Sequence, residues 1–342
     1  MSRETLDWLN KNTLIGFTEK RGTAWHYHRG MQGTESNHYR GAIPVQDVQR
    51  RLFDWEAVPG EVFVTSPLTG RPERDLERVA FSRSDTGRVL GYFGPGYQPH
   101  PYGEWLLNKV ANLLDDDLAV GSAGLLKGGA VAWVSVEVPE TITTPEGVAF
   151  RPHLLATTSF DGSLATTYKP VVTNVVCDNT MNAALNESGR TVRVKHSRKS
   201  ELKLAAARDA LGMVHRVADS FTQEVTRLCR TDVSERQWQR FLDAHVELPA
   251  KPGRGRTLAA RKREALTSLW TDDARVAPWR GTAFGVVQAV NTHAHHGQTV
   301  RGATRPERNA LRAVTGDFDT LDRSTLATLA GVLERTELVR AA

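Results

Sequence analysis

The sequence predicts an α+β fold, in which an antiparallel β-meander packed with helices is followed by an α-helical C-terminal region. Between Ala130 and Leu185 the chain contains apolar runs of strand length, and Asp161-Gly162-Ser163 offers a hairpin turn between two of them. Beyond residue 200, apolar residues recur every three or four positions, which is the period of helices. We therefore expect a core domain over residues 1–200, with an irregular N-terminal lead-in, and a helical region over 201–342.

The centre of the meander is expected to contain three strands followed by a helix. The strands are predicted at residues 131–138, 153–160 and 171–176. Asn179 or Thr180 is suited to cap the helix that follows, because a short side-chain oxygen can accept hydrogen bonds from the free amides of a first turn.

Shorter elements are predicted before the meander. We expect helices at 44–53 and 102–116, a strand at 61–65, and a hairpin that joins 79–82 to 89–93. The glycines between positions 121 and 129 predict a turn between two strands. They do not fit a phosphate-binding loop, because Lys127 precedes its glycines and the required glycine-lysine spacing is missing.

A long helix is predicted at residues 201–230. Its apolar seam consists of Leu204, Ala207, Leu211, Val214, Ala218, Phe221, Val225 and Leu228. Such a seam packs against a neighbouring helix of the same chain or, as an alternative, against another molecule. Ser234 and Gln237 have the spacing of a capping box at the start of the next helix, and further helices are expected at 258–270, at 281–296 and in the tail.

Composition places the chain among globular proteins. Its 342 residues, of which 40% are hydrophobic, are enough to form one large or two medium domains. No apolar stretch has the length of a membrane span and the N-terminus does not resemble a signal peptide, so we expect a soluble, cytoplasmic protein without a membrane partner. Cys177 and Cys229 are too few for a disulfide framework or a four-ligand zinc site, and buried thiols are expected.

Positive charge is concentrated in two segments, residues 190–203 and 251–263, on a chain whose net charge is only +5. The rest of the chain is therefore net acidic. Basic side chains gain affinity for phosphates by releasing counterions, so this pattern predicts a sequence-tolerant nucleic-acid site in which the two segments share one groove. The predicted phosphate contacts are Arg190, Arg193, Lys195, Arg198, Lys199, Lys203, Lys251, Arg254, Arg256, Arg261, Lys262, Arg263 and Lys169. Tyr168 is a candidate to stack on unpaired bases.

Two clusters could hold a metal ion, but each has a simpler interpretation. His293, His295 and His296 lie near a predicted helix end without an acidic partner in that helix, and a polar helix terminus is favoured. Asp115–Asp117 could act with Glu104, yet three consecutive acids point in different directions on a helix. No catalytic or nucleotide-binding motif is present, so we assign no catalytic residue, cofactor or metal.

Several short motifs resemble one known family. They are Trp25-His26, Asp85-Thr86-Gly87, Leu90-Gly91, Ala123-Gly124-Leu125, Gly128-Gly129, Asp161-Gly162-Ser163, Val176-Cys177-x-Asn179-Thr180 and Lys195-His196. In this order they resemble the phage/plasmid-like family of unknown function, over roughly residues 20 to 300. That resemblance implies a context of mobile-element DNA metabolism and carries no catalytic assignment. The order of strands, helix and basic segment is also similar to the core of Rad52-type single-strand annealing proteins, by fold analogy alone.

The leading expectation is a phage- or plasmid-encoded protein that binds single-stranded DNA, with annealing of complementary strands as an accompanying activity. Self-association is left open. One alternative is a metal-dependent enzyme that acts on nucleotides or nucleic acid. Another is an interaction protein that counters a host system through the Leu204–Leu228 helix.

Overall fold

The computed structural model describes residues 11–18, 36–111, 118–138, 140–174, 179–181, 191–197, 213–301 and 305–340. The chain forms two compact units, and the predicted α+β class is confirmed. The first unit contains Met1–Glu140, Pro152–Val171 and Ser188–Arg216, and the second contains Thr141–Arg151, Val172–Glu187 and Val217–Ala342. The units are therefore interleaved along the chain and do not form two consecutive stretches.

Most of the described strands and helices lie where the sequence predicts them. The strands are β1 (Thr13–Ile15), β2 (Ala57–Thr65), β3 (Pro72–Arg83), β4 (Val89–Phe93), β5 (Ala119–Leu126), β6 (Val131–Glu137), β7 (Ile142–Thr143), β8 (Ala149–Ser159), β9 (Thr166–Asn174), β10 (Asn179–Met181) and β11 (Val192–Val194). The helices are α1 (Val45–Leu52), α2 (Met213–Arg230), α3 (Glu235–His245), α4 (Arg254–Asp272), α5 (Ala283–Thr292), α6 (Arg305–Thr315) and α7 (Asp317–Arg340). A π-helix, Gly103–Asn108, continues into Lys109–Ala111, and a second one, His293–Gly297, continues α5.

The main sheet of the first unit is the predicted meander. Its strand order is β1-β5-β6-β8-β9, and β11 adds to β9. At the predicted turn between β8 and β9, Gly162 has a φ of 74° and the Ser163 amide donates to the Asp161 carboxylate over 2.9 Å. Trp133 in β6 is buried and belongs to the core.

Residues 179–181 correct one prediction. We expected Asn179 or Thr180 to cap a helix, but both residues lie in β10, which pairs with the last residues of β9 in the second unit. Asn179 lies opposite Asn174, and Met181 lies opposite Val172. A strand ladder satisfies the same backbone amides that a cap would have satisfied, so the neighbouring strand overrides the local preference. The rest of the expected helix lies outside the described residues.

The first unit also contains a separate sheet of β2, β3 and β4. The predicted hairpin between 79–82 and 89–93 is confirmed, and β2 is longer than expected because it begins at Ala57. The register shifts between Glu61 and Val62. Beyond this bulge β4 no longer pairs with β3, and β2 and β3 form a two-stranded ribbon. We call residues 57–83 the arm.

In the second unit, α2 carries the predicted apolar seam. Val214, Ala218, Phe221, Val225 and Leu228 are all buried. Phe221 packs edge-on against Phe150 of β8, with ring centroids 4.7 Å apart. The described part of the seam is therefore buried within the chain, and Phe221 packs against a strand where we had expected a helix. Leu204, Ala207 and Leu211 lie outside the described residues.

The remaining helices complete the second core. Trp238 of α3 stacks on Trp270 of α4 with centroids 4.7 Å apart, and α7 packs against α3 and α5. The tail thus contains the two helices expected there. Cys229 is half-buried, and burial, followed by the nearby Glu146 carboxylate, raises the pKa of its thiol to about 12. No helix in the described parts of the chain is both long enough and apolar enough to cross a bilayer.

The capping box at α3 generates a stability prediction. The Ser234 hydroxyl accepts from the Gln237 amide, and the Gln237 side chain accepts from the Ser234 amide over 2.8 Å. We expect Ser234→Ala to lower the free energy of unfolding by about 1 kcal/mol, because an amide of the first turn loses its partner. Chemical denaturation followed by circular dichroism measures this difference.

Ser324→Ala is the matched control, since Ser324 is an exposed serine inside α7 whose hydroxyl bonds only to the Leu321 carbonyl of its own helix. We expect that variant to be as stable as the wild type or slightly more stable. Equal losses in both variants would show that the box contributes nothing.

Candidate nucleic-acid interface

Two of the predicted phosphate contacts lie in β11 and directly after it. Arg193 in the strand and Lys195 just beyond its end are exposed, whereas Val194 between them is buried. Exposed and buried residues therefore alternate here, with both cations on the exposed side. Arg193 makes no ion pair with any residue that the structure describes. Arg190, Arg198, Lys199 and Lys203, the other predicted contacts of this segment, lie outside the described residues.

The pairing of β11 with β9 determines which residues share the face of Arg193. Arg193 lies opposite Thr167, and directly opposite residues of an antiparallel pair project to the same face. Lys169, two positions further along β9, projects to that face as well. Lys169 is only 9% exposed, so it is not available for the predicted direct contact with a phosphate.

Tyr168 projects to the opposite face, and its predicted role is wrong. The residue is fully buried, and its hydroxyl donates to the Trp105 carbonyl over 2.8 Å. An unpaired base cannot reach this ring. Alternation along β9 places neighbouring residues on opposite faces, and the buried face is the one that holds Tyr168.

The inner side of β11 is anchored by a polar network that the sequence did not reveal. His196 follows β11, and its Nε2 atom lies 3.1 Å from the Thr158 hydroxyl. That hydroxyl lies 2.7 Å from the Thr166 hydroxyl, which in turn lies 2.6 Å from Nδ1 of His100. Two strands and two loop histidines are thereby joined through hydrogen bonds.

A column of stacked rings runs through the same network. Tyr97 stacks on His196, His196 on His100, and His100 on Trp105, with centroids 5.2, 4.1 and 3.7 Å apart. Phe93 extends the column beyond Tyr97, with centroids 3.8 Å apart. At the other end the Lys109 ammonium lies 3.5 Å from the Trp105 ring centroid, a cation–π distance. This column fixes the position of His196, the residue through which the chain leaves β11.

Both histidines of the column are neutral at physiological pH. Burial lowers the pKa of His196 to about 4. Burial, followed by the nearby His196 and Lys109, lowers the pKa of His100 to about 3. The positive charge beside β11 therefore comes from arginine and lysine alone, since the imidazoles add none.

Several motifs quoted for the family resemblance meet at this end of the sheet. Arg83 pairs with Asp85 at 2.6 Å and donates to the Gly128 carbonyl over 3.2 Å. Lys127 pairs with Asp161 at 3.0 Å, and a Cβ at Gly91 would lie 2.9 Å from the Phe160 carbonyl oxygen. These contacts join the β3–β4, β5–β6 and β8–β9 turns. The motifs thus build a local structure in which Arg83 and Lys127 are paired with carboxylates.

The second predicted segment lies in the other unit, at the start of α4. Arg254, Leu258 and Arg261 are exposed, and their spacing of four and three places them on one face of the helix. Lys251, just before the helix, is also exposed. None of these three cations has a hydrogen bond or ion pair to a residue that the structure describes. The first turn of α4 contains no acid.

Three other cations of this segment are engaged in the fold. Arg263 pairs with Asp243 at 2.7 Å and donates to the Val246 carbonyl over 2.6 Å, so it holds α4 in place and is withdrawn from the predicted contacts. Arg256 is exposed but donates to the Pro249 carbonyl over 2.8 Å. Lys262 is half-buried, and burial lowers its pKa. Sequence composition counts all of these charges alike because it does not identify their partners.

The two basic segments fall in different units, residues 190–203 in the first and 251–263 in the second. Their convergence on a shared groove therefore stays a prediction.

The histidines considered as metal ligands are engaged in the fold. His295 is buried, its Nδ1 atom lies 2.9 Å from the Asn291 carbonyl, and its ring stacks on Phe318 with centroids 3.8 Å apart. His293 is also buried, so this helix end is part of the core and not the polar terminus that we expected. Glu104 pairs with Lys109 at 2.9 Å. Among the described residues, which do not include Asp115–Asp117, no group of three histidine, cysteine or acidic residues could hold a metal ion.

The first unit thus contains an antiparallel meander with a basic edge strand, and the second unit is helical and contains a basic helix start. The family described as "Domain of unknown function (DUF932)" matches residues 89–315, from β4 to the end of α6. The chain belongs to the DUF932 family. Searches of curated proteins and of solved structures return no match for the chain.

The neutral histidines of the column generate a pH prediction. An unfolded histidine has a pKa near 6.5, whereas His100 and His196 have values of about 3 and 4 in the folded protein. Between these values the unfolded chain binds protons that the folded protein does not, so the free energy of unfolding must fall as the pH falls from 6.5 toward 4. Denaturant titrations at neutral pH and at about pH 5 measure the difference.

The double variant His100→Gln/His196→Gln isolates the contribution of the column, because other buried histidines, such as His295, also have lowered pKa values. We expect the variant to lose less stability than the wild type over the same pH interval. An identical pH dependence in both proteins would contradict the assignment.

Proposed function

We propose that this protein binds single-stranded nucleic acid through exposed arginine and lysine side chains, with little preference for sequence. The proposal rests on the exposure of predicted cations in both units. In the first unit Arg193 of β11 and Lys195 just after it are exposed, and in the second unit Lys251, Arg254 and Arg261 at the start of α4 are exposed.

Strand β11 supports the proposal because its cations are held in a defined position. Val194 and His196 fix the strand from the inner side, so the backbone that carries Arg193 and Lys195 need not be ordered when a phosphate binds. A preorganised site loses less conformational entropy on binding. The backbone of a nucleic acid also carries its charges at regular intervals, which suits side chains that alternate along a strand.

Helix α4 supports the proposal through its exposed face. Arg254 and Arg261 flank Leu258, whose side chain is 55% exposed. Two cations can contact phosphates while the apolar side chain between them contacts a sugar or a base. The amides at the start of a helix favour anions as well, and no acid in the first turn of α4 opposes them.

The finer parts of the proposal are annealing of complementary strands and an origin in a phage or plasmid. Both depend on the resemblances in the sequence, to the phage/plasmid-like family and to the element order of Rad52-type annealing proteins. DNA is the substrate that this context favours. Annealing would require one protein assembly to bind two strands at once.

Fluorescence anisotropy with a labelled single-stranded oligonucleotide, at several salt concentrations, tests the proposal. We expect Arg193→Gln/Lys195→Gln and Lys251→Gln/Arg254→Gln/Arg261→Gln each to weaken binding. The slope of log affinity against log salt should become shallower by about 0.7 for each phosphate contact removed, because fewer counterions are released. Oligonucleotides of different sequence should lose affinity alike.

Control variants each remove one positive charge elsewhere. Arg50 in the first unit has 73% of its side chain exposed, and Arg236 in the second unit is also exposed, but both lie outside the basic segments. Arg50→Gln and Arg236→Gln should leave the slope close to that of the wild type. Wild-type affinity that does not fall as salt rises, or equal effects of control and test variants, would refute the proposed function.

A further inference from the structure

Exposed large apolar side chains are concentrated on one sheet. Among the described residues eight such side chains are exposed, and seven belong to the β2–β4 sheet or to the turn between β2 and β3. They are Val58, Phe63, Val64, Leu68, Leu76, Val89 and Tyr92. Leu68, in the turn at the tip of the arm, is 94% exposed. Apolar side chains collected in this way mark a surface that binds another macromolecule.

The charge of the arm argues against a nucleic-acid partner for this surface. Residues 57–83 contain four basic side chains, Arg71, Arg74, Arg78 and Arg83, and four acidic ones, Glu61, Glu73, Asp75 and Glu77. The net charge of the arm is therefore zero. Phosphates would be repelled by the acids as strongly as they are attracted by the bases.

The same charge pattern fits a second copy of the arm. Acids and bases alternate along β3, and two of its arginines form exposed ion pairs, Arg74 with Glu61 at 2.9 Å and Arg78 with Asp75 at 3.9 Å. Exposed pairs contribute little stability within one molecule, so they can exchange partners with a second molecule at small cost. Because acids and bases alternate along β3, the acids of one copy can face the bases of an identical copy in a two-fold symmetric contact.

The arm is not suited to pair with a strand of another molecule. Pro59 in β2 and Pro72 at the start of β3 lack the amide that a continuous backbone ladder needs. Phe63 and Val64 are adjacent in β2 and therefore project to opposite faces of the ribbon, so each face offers an apolar side chain.

We propose that the arm, residues 57–83, is a self-association surface through which one copy of this chain docks on the arm of a second copy. Phe63, Leu68 and Leu76 form the apolar part of the contact, and the alternating charges of β3 align it. This inference is independent of the proposed nucleic-acid binding, since the arm contains none of the side chains assigned to phosphate contacts.

Sedimentation velocity of the full-length chain, over a wide range of protein concentration and without nucleic acid, tests the inference. A single chain has a mass of 37.8 kDa, and we expect the wild type to form a species of at least twice that mass. Phe63→Glu/Leu76→Glu should raise the dissociation constant of that species by about tenfold or more, because each copy then brings unpaired carboxylates into the contact.

Leu258→Glu is the matched control, since Leu258 is the one exposed large apolar residue of the described chain that lies outside this sheet. It should leave the association unchanged. The substituted arm residues are exposed, so circular dichroism and thermal unfolding should match the wild type. A wild type that remains monomeric at every concentration would overturn the inference, as would arm variants that associate as strongly as the wild type. Salt-dependent oligonucleotide binding by a monomeric protein would overturn it and leave the proposed function intact.

Discussion

The antiparallel pairing of β11 with β9 is the constraint on which the candidate site of the first unit depends. This pairing gives a three-residue strand two different sides. Val194 is buried and His196 joins the column of stacked rings and the threonine hydroxyls, whereas Arg193 and Lys195 are exposed. The buried side therefore holds the strand in place, and the exposed side presents the positive charge. Neither side would hold its geometry alone, because so short a strand has few contacts of its own.

Local patterns predicted most of the fold because they depend on neighbours in sequence. The apolar runs of β6 and β8, the seam of α2 and the capping box at α3 are each contained within one element. The error at Asn179 has a non-local cause, since residues of β9 pair with it and local sequence does not identify that partner. The column of His100 and His196 was missed for the same reason: the two residues are far apart in the chain and stack directly in space.

Residues that carry the same charge in a predicted basic segment differ in their contacts. Arg261 and Arg263 are two positions apart on α4 and carry the same charge. Arg261 is exposed, whereas Arg263 is bound to Asp243 and to the Val246 carbonyl. A count of charges therefore overestimates a polyanion site, because part of the positive charge is used to join helices. A sequence signal existed for this distinction, since Arg263 is spaced with the buried Leu266 and Trp270 on the inner side of α4.

The neutrality of the arm has a practical consequence for purification. An apolar contact between arms is strengthened by salts that are excluded from protein surfaces, whereas contacts between arginine and phosphate are weakened as ionic strength rises. Under the two proposals, washing an immobilised sample with concentrated sulfate would release oligonucleotides bound at β11 and α4 while the arms stay in contact. One reagent would thus separate the nucleic acid from the protein without dissociating the protein assembly.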